Sequence, residues 1–386
     1  MKIVDVRTYV APPPGGSWLN EVRVSTPMSI YPEYKSSRGT WRGPNTQDVF
    51  IEVESDEGVS GLGITRGGVV AQVIVDRHLK ALLLGKDPRN VELLWDQMYR
   101  ATLAYGRKGA PIMALSGVDL ALWDLLAKWM GQPLYRVLGG AVVDTLPVYA
   151  THPDPHALAR EGYVGTKIPM SYGPSDGKDG LRRNVDRVAE VRAAVGPDID
   201  IMVDCWMSWD VRYTLEFARA VAPHSLRWIE EPLPPDDYDG YRELRRAVTG
   251  TQIATGEHEY TRWGFKELLA RGCADVLQPD LAWSGGITEI RRVMAMASAY
   301  DIPVIPHNGI MQPWATHLMY ATPICPLAEH IVFYGPGDKA PPPIMLGALV
   351  PQQGRVRPRD DLGAGVTLDV DEWRRQTAAP PPGTAR

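Results

Sequence analysis

A series of charged side chains recurs from residue 167 onward in this 386-residue sequence, each at the end of a short apolar run. Such runs are typical of buried β-strands. The series consists of Lys167, Asp204, Glu230 or Glu231, Glu257, Asp280, His307 and Glu329. If the strands are parallel and close into a barrel, their carboxyl ends open on one face. We therefore expect these side chains to meet at a single site.

Three members of the series are carboxylates on successive predicted strands, namely Asp204, one of the pair Glu230/Glu231, and Glu257. Carboxylates this close repel one another unless a cation lies between them. No cysteine or histidine cluster accompanies them, and ligands that are all oxygen suit a hard ion. The residues therefore favour a Mg²⁺ site.

The stretch "SLRWIEEPLPP" places Glu230 and Glu231 where a strand gives way to a proline-rich loop. Neighbouring side chains of a strand point to opposite faces. We therefore expect only one of the two carboxylates at the site, and the strand pattern does not decide which one.

Asp280 and His307 end the next two predicted strands. An aspartate beside a histidine fixes the tautomer of the ring and stabilises its imidazolium, as a general base requires. The spacing therefore predicts an acid–base pair next to the proposed metal site.

The elements that must position these residues alternate between strand and helix from Leu146 onward. This alternation predicts parallel strands with right-handed crossovers, and roughly eight strands in about 200 residues favour a barrel over an open sheet. We expect residues 141–355 to form this barrel. Residues 1–140 resemble an α+β unit with a long Pro-, Gly- and Ser-rich segment at 11–48, typical of a lid or a disordered segment. Residues 356–386 are expected to pack back on that unit and to end in a frayed tail.

Composition excludes several classes of function. A net charge of −5 offers no electrostatic reason to bind nucleic acid or an anionic membrane. The three cysteines are too few and too scattered for a disulfide framework, which favours a reducing, cytoplasmic setting. The first residues, "MKIVDVRTYV", are typical of a strand and not of a signal peptide, and no apolar run is long enough for a membrane span.

The glycines of "GLGITRGG" suggest a different class of protein, a nicotinamide oxidoreductase, because their spacing approaches that of a dinucleotide-binding loop. This motif follows a predicted hairpin, and helices rather than a parallel strand come next. A lone motif of this kind is weak. The oxidoreductase is therefore a remote alternative.

The sequence resembles the enolase superfamily, and within it the acid-sugar dehydratases of the L-rhamnonate group. The resemblance rests on "GPSDGKDGLRRN", "MVDCWMSWDVRYT", "RWIEEPLPP", "TGEHE", "LQPDLAWSGGITE" and "VIPHN". It implies a modified (β/α)₇β TIM-type barrel under an N-terminal α+β capping domain, assembled as a homo-octamer.

The resemblance also implies roles for individual residues. Asp204, Glu230 and Glu257 correspond to the Mg²⁺ ligands, which selects Glu230 from the adjacent pair. The roles implied for the other matching residues are a catalytic dyad of His307 and Asp280 and a contact with the substrate carboxylate by Glu329.

Two departures from the family pattern bear on specificity. Relatives often have Lys-X-Lys at the end of the second barrel strand, whereas "TKIPM" has Pro169 at the second position, so Lys167 is expected to give electrostatic support rather than to act as a base. The rhamnonate group also holds its sugar with a loop histidine and arginine. Arg38 occupies the arginine position, but "APPPGGSWLNEVR" contains no histidine. His258, next to a predicted ligand, is expected either to line the pocket or to support it.

The implied activity is Mg²⁺-dependent dehydration of a small-molecule acid sugar, L-rhamnonate or an analogue such as L-lyxonate. His307 would take the proton from C2, and the 3-hydroxyl would leave as water. An epimerase, racemase or cycloisomerase of the same superfamily is the alternative. That alternative needs a base opposite His307, and the sequence offers only Lys167 there.

Overall fold

The computed structural model of the chain describes residues 1–12, 18, 22–35, 47–155, 161–335 and 339–378. Much of the segment 11–48, including the predicted sugar-binding residue Arg38, lies outside the described residues.

An antiparallel sheet with the order β1-β2-β3 opens the chain. Its strands are β1 (Ile3–Val10), β2 (Val49–Ser55) and β3 (Ser60–Thr65). The helices that follow are α1 (Gly68–Ile74), α2 (Lys80–Leu83), α3 (Val91–Thr102), α4 (Ala110–Trp129) and α5 (Leu134–Val137), with a π-helical turn at Val75–Leu79 between α1 and α2. The predicted α+β unit is therefore present.

The helix α4 packs closely against β3, and glycines make this approach possible. A Cβ on Gly61 would lie 2.0 Å from the carbonyl oxygen of Ala121, and one on Gly63 would lie 2.0 Å from that of Gly117. The glycines of "GLGITRGG" thus bring a strand against a helix, in an antiparallel hairpin rather than a parallel βαβ unit. This packing removes the basis for a dinucleotide-binding loop.

By length and composition, α4 is the one helix among the described residues that could cross a membrane. However, 83% of its apolar window is buried inside the protein. Its apolar character on every side is that of a core helix.

Seven parallel strands in the order β10-β4-β5-β6-β7-β8-β9 form the wall of the second unit. They are β4 (Leu146–Thr151), β5 (Gly165–Pro169), β6 (Asp200–Asp204), β7 (Leu226–Glu230), β8 (Gln252–Thr255), β9 (Val276–Leu277) and β10 (Ala328–Ile331). Val304 forms a parallel bridge with Leu277 of β9, so it continues the wall between β9 and β10. Apolar residues of the wall, including Tyr149, Met202 and Trp228, form a buried cluster of their own.

Helices alternate with these strands. They are α6 (Gly177–Val195), α7 (Val211–Val221), α8 (Tyr238–Ala247), α9 (Thr261–Arg271), α10 (Gly286–Ser298) and α11 (Pro313–Tyr320). The predicted alternation of strand and helix is therefore present.

The last described elements return to both units. They are β11 (Met345–Leu346), β12 (Arg355–Val356), β13 (Thr367–Leu368) and α12 (Val370–Ala378). The strand β12 pairs with β4. On α12, the indole of Trp373 packs edge-on against Tyr9 and donates a 2.8 Å hydrogen bond to the carbonyl of Val10.

Buried hydrogen bonds join α4 to the N-terminus of α10. The Thr288 hydroxyl accepts from Trp123 Nε1 at 2.8 Å and donates to Asp119 Oδ1 at 2.6 Å. The Thr288 amide also donates to Asp119 Oδ2, at 3.0 Å. Burial raises the pKa of Asp119 to about 7. One hydroxyl is thus the partner of two buried polar atoms, Trp123 Nε1 and Asp119 Oδ1.

Replacing Thr288 by Val should therefore destabilise the protein by about 2 kcal/mol, because a buried donor and a buried acceptor lose their partner together. Urea denaturation of Thr288→Val against the wild type measures this. Thr377→Val is the matched control, since Thr377 is exposed and bonds only within its own helix. An unfolding midpoint equal to that of the control would contradict this account of the interface.

Candidate active site

The carboxyl ends of β6, β7 and β8 bring three predicted ligands together. Asp204 and Glu230 end β6 and β7 and are partners in the strand register, and Glu257 follows β8 by two residues. One oxygen atom from each of the three carboxylates lies within 4.8 Å of the others.

The electrostatics of this cluster are those of a site built for a cation. Burial is the largest influence and raises the pKa of Asp204 to about 6, and that of Glu230 to about 7. Neighbouring carboxylates add to the shift in both cases. Oxygen donors held this close are stabilised as anions by a hard divalent ion. The residues present therefore fit Mg²⁺.

The Glu230 carboxylate is held in place by three donors from inside the barrel. Its Oε2 accepts from Gln278 Nε2 at 2.7 Å and from Trp228 Nε1 at 3.0 Å. Its Oε1 accepts from Lys167 Nζ at 2.5 Å. A carboxylate fixed on this side has little freedom to reorient.

Lys167 lies fully buried between two carboxylates. Its Nζ is 2.5 Å from Glu230 Oε1 and 2.8 Å from Glu329 Oε1. Burial by itself lowers the pKa of Lys167, but Glu230 and Glu329 outweigh it and raise the pKa well above its ordinary value. The side chain is therefore a fixed ammonium group and is not available as a base.

Glu329 is equally constrained. Its Oε1 also accepts from the Thr151 hydroxyl at 2.6 Å, and its Oε2 accepts from the backbone amide of Asn308 at 2.8 Å. Burial opposes ionisation, but Lys167 and His307 together lower the pKa of Glu329 to about 2. It is an ionised acceptor beside the ligand cluster.

His307 and Asp280 form the expected pair. His307 Nδ1 lies 2.9 Å from Asp280 Oδ2, so the carboxylate places the proton on Nδ1. Asp280 is itself oriented by the amide of Ala282 at 2.8 Å and by Gln312 Nε2 at 2.9 Å. The other ring nitrogen, Nε2, lies 3.3 Å from Glu257 Oε1. The basic nitrogen therefore faces the ligand cluster.

The expectation that only one of Glu230 and Glu231 can reach the site is wrong. Both are buried, at 0% and 1% exposure. Glu231 lies just past β7 with a left-handed backbone, φ 41°, which breaks the alternation of a strand. Its Oε2 lies 2.6 Å from His258 Nδ1, and its Oε1 accepts from the His258 amide at 3.1 Å.

The structure therefore contains a second imidazole–carboxylate pair, which the sequence reasoning missed. Glu231, Glu257 and His258 also offer ligand atoms within 4.8 Å of one another. Burial lowers the pKa of His258, but Glu231 and Glu257 raise it to a net value of about 9. The proline run after Glu231 is the one sequence feature that could have signalled the break in the strand pattern.

An indole between the two histidines was also missed. The ring of Trp283 lies 5.4 Å from that of His258 and 5.6 Å from that of His307, measured between centroids. The guanidinium of Arg66, held by Asp48 at 3.2 Å, lies 6.0 Å from the Trp283 centroid. Arg66 thus reaches the site from the end of β3.

Three further histidines have hydrogen-bond partners of their own. His152 is buried and accepts from the Asp154 amide at 3.0 Å. His317 accepts from the amide of Tyr135, and His330 is bonded to the hydroxyl of Tyr163. Burial lowers the pKa of both His317 and His330 to about 4.

Comparisons with known families match both units of the chain. Residues 155–373 match the family described as "Enolase C-terminal domain-like". Residues 21–139 match "Mandelate racemase / muconate lactonizing enzyme, N-terminal domain". The family resemblance and the fold class inferred from the sequence are thus confirmed.

Several solved structures are similar to this chain over nearly its whole length. L-Rhamnonate dehydratase from Gibberella zeae is 38% identical, with a TM-score of 0.90 and 98% coverage of both chains, and it is also known in complex with Mg. A racemase from Streptomyces coelicolor with bound magnesium is 28% identical, with a TM-score of 0.82 and coverage of 97% of this chain and 99% of that one. The 3,6-anhydro-D-galactonate cycloisomerase from Zobellia galactanivorans is 27% identical, with a TM-score of 0.80 and the same coverage.

The Glu231–His258 contact leads to a prediction for the metal-free protein. The His258 imidazole should keep its proton until about pH 9, because Glu231 stabilises the charged ring. Glu231→Gln should shift this titration to lower pH by removing that charge. NMR of ring-labelled histidines measures it, with His258→Asn to assign the resonance. A titration unchanged by Glu231→Gln would contradict the pairing.

Proposed function

We propose that this chain, which belongs to the enolase superfamily, is a Mg²⁺-dependent dehydratase of a sugar acid such as L-rhamnonate or the shorter L-lyxonate. The main observation behind this proposal is that His307 Nε2 faces an all-oxygen ligand cluster, while Asp280 is bonded to the other ring nitrogen. A base next to a hard-ion site suits removal of a proton beside a carboxylate. The likeness to L-rhamnonate dehydratase supports the substrate class.

Asp204, Glu230 and Glu257 are the residues that would hold Mg²⁺. The bound cation supplies positive charge next to the substrate carboxylate, which makes the proton on C2 more acidic. Trp228, Gln278 and Lys167 keep Glu230 in position for this role.

His307 acts as base and then as acid. Nε2 takes the C2 proton, and Asp280 stabilises the resulting imidazolium through Nδ1–H. The same proton then goes to the 3-hydroxyl, which leaves as water while the electrons of the C2–H bond form the C2–C3 double bond. The enol tautomerises to a 2-keto-3-deoxy acid. Substrate equals product plus one water, so no further reactant is needed.

Lys167 and Glu329 act at the carboxylate end of the substrate. Lys167 contributes fixed positive charge, which it keeps because its Nζ is bound to Glu230 and Glu329. An ionised Glu329 only accepts hydrogen bonds. A contact with the substrate carboxylate, the role that the family resemblance implies for Glu329, therefore requires a proton on one of the two carboxyl groups.

An epimerase or racemase is the second candidate, and one observation favours it. The sequence offered only Lys167 as a possible second base, and in the structure that side chain is held in ion pairs with carboxylates. The structure nevertheless contains a second imidazole–carboxylate pair, His258 and Glu231, next to Glu257. Reversible inversion at C2 would require His258 to face the side of that carbon opposite His307.

The cysteines and the family resemblance also bear on the cellular environment and the oligomeric state of the protein. We infer a reducing, cytoplasmic environment, since Cys205, Cys273 and Cys325 are all buried as free thiols. We also infer a homo-octamer, by resemblance to the family.

Metal binding should depend on Glu230 and survive the loss of the Glu231 charge. Because replacing one outer partner of a ligand weakens metal binding roughly 10- to 100-fold, Glu230→Gln, which removes a ligand, should weaken it by more than about 100-fold. Titration calorimetry with Mg²⁺ measures both variants. Glu231→Gln is the matched control and should bind Mg²⁺ within about tenfold of the wild type. A larger loss in Glu231→Gln than in Glu230→Gln would overturn the ligand assignment.

The acid–base assignment makes a separate prediction. His307→Asn should abolish both dehydration of L-rhamnonate and exchange of its C2 hydrogen with solvent deuterium, because no other group takes that proton. Asp280→Asn should lower kcat by roughly 100-fold or more, since it disturbs the ring tautomer and basicity. A keto-acid assay and NMR in D₂O measure the two steps.

His258→Asn distinguishes the two candidate functions. C2 exchange that persists in His307→Asn but disappears in His258→Asn would favour the epimerase. Formation of a 2-keto-3-deoxy acid by the wild type, with no C2 epimer, would favour the dehydratase.

A further inference from the structure

Several groups at the mouth of the barrel have a buried polar atom without a hydrogen-bond partner among the described residues, including Asn308 Oδ1, Gln312 Oε1 and the indole N–H of Trp283. The Trp283 side chain is 7% exposed, and its Nε1 is buried without a hydrogen bond within the described ranges of the chain. Leaving a buried N–H unpaired costs free energy, so native proteins rarely do so without a reason.

Several other buried indoles of this protein are paired. Trp95 Nε1 donates to the carbonyl of Gly285 at 2.8 Å, Trp209 Nε1 to that of Tyr172 at 2.9 Å, and Trp123 Nε1 to Thr288 at 2.8 Å. Trp314 Nε1 also lacks a partner, but Trp314 lies in α11 and shows no ring contact with His258 or His307. Trp283 therefore differs from Trp314 by its ring contacts with His258 and His307.

The surroundings of Trp283 are those of a ligand subsite. Its ring lies between the His258 and His307 imidazoles, with interplanar angles of 54° and 53°. Arg66 reaches over it from the N-terminal unit. The indole thus lies where the mouth of the barrel meets the cap, beside the proposed base.

The backbone around Trp283 is fixed, so the indole cannot simply turn toward solvent with its loop. The Trp283 amide donates to the carbonyl of Asp280 at 3.1 Å. The preceding residue, Ala282, donates to Asp280 Oδ1 and accepts from the Thr65 hydroxyl at 2.7 Å. The N–H is therefore held in place at the mouth, without a partner among the described residues.

We propose that Trp283 is a substrate-binding residue whose Nε1–H donates to a hydroxyl oxygen near the reacting carbons of a polyhydroxy acid. This rests on the proposed function and adds a source of specificity to it. A simple 2-hydroxy acid with no further hydroxyl groups leaves the N–H unpaired in the closed site. A buried N–H without a partner is unfavourable, so Trp283 favours the binding of sugar acids over short hydroxy acids.

The test uses Trp283→Phe, which keeps an aromatic ring and removes the N–H. Binding is measured by titration calorimetry with Mg²⁺ present, in a His307→Asn background that prevents turnover. The ligands are L-rhamnonate and its singly deoxygenated analogues. We expect Trp283→Phe to bind L-rhamnonate about tenfold more weakly, the effect of one lost hydrogen bond. For the analogue that lacks the bound hydroxyl, both proteins should bind equally.

Two controls make the outcome specific. Trp129→Phe makes the same substitution at an indole that bonds to Glu57 in the N-terminal unit, and sugar-acid affinity should not change. Mg²⁺ affinity should be unchanged in Trp283→Phe, because the indole offers no ligand. If the Phe variant does not fold, Trp283→Met serves instead, since a flexible thioether also fills the space without a donor.

Equal affinities of wild type and Trp283→Phe for L-rhamnonate and every analogue would overturn the proposal. A uniform loss across all analogues would overturn it too, since that result indicates packing and not a bond to one hydroxyl. If the His307→Asn parent with Mg²⁺ binds no sugar acid, the proposed function itself fails. The parent titration therefore separates the two failures.

Discussion

The concentration of buried negative charge at the mouth of the barrel is the constraint on which the rest of the structure depends. The carboxylates concerned are Asp204, Glu230, Glu231, Glu257, Asp280 and Glu329. Removing so many charges from water is costly unless they are neutralised. One lysine and two imidazoles compensate in part, each bound to a particular carboxylate. The remaining oxygen cluster is the part suited to a divalent cation.

The N-terminal unit stabilises this arrangement at a distance. Two hydroxyl groups hold the loop that carries Asp280. The Thr65 hydroxyl donates to the carbonyl of Ala282, and the Gly285 amide donates to Ser116 Oγ at 2.8 Å. Those two hydroxyls are themselves positioned by the close packing of β3 on α4, which the glycines of β3 permit. The geometry of the acid–base pair is thus coupled to the core of a different unit of the protein.

The same fold serves racemases, cycloisomerases and dehydratases among its relatives, so the fold by itself does not decide the reaction. Here the reaction depends on which groups on either side of the ligand cluster are free to exchange a proton. Lys167 is not free, because two carboxylates hold it. His307 has a nitrogen directed at the cluster, and His258 is bound to Glu231. The roles of the two histidines in proton transfer are therefore the ones to compare. Trp283 contacts both rings and is placed to bind the substrate.

Much of the site could be predicted from the sequence. The strand-end series, the alternation of strand and helix and the family motifs are local patterns, and local patterns specify which side chains reach the carboxyl ends of strands. The sequence therefore determined the barrel, the ligand cluster and the His307–Asp280 pair. Only the tertiary structure decided the conformation of Glu231, the ion pairs of Lys167 and the unpaired N–H of Trp283. A left-handed residue ends the strand periodicity on which the first expectation rested, and the other two depend on partners far apart in the chain, which spacing along a sequence does not encode.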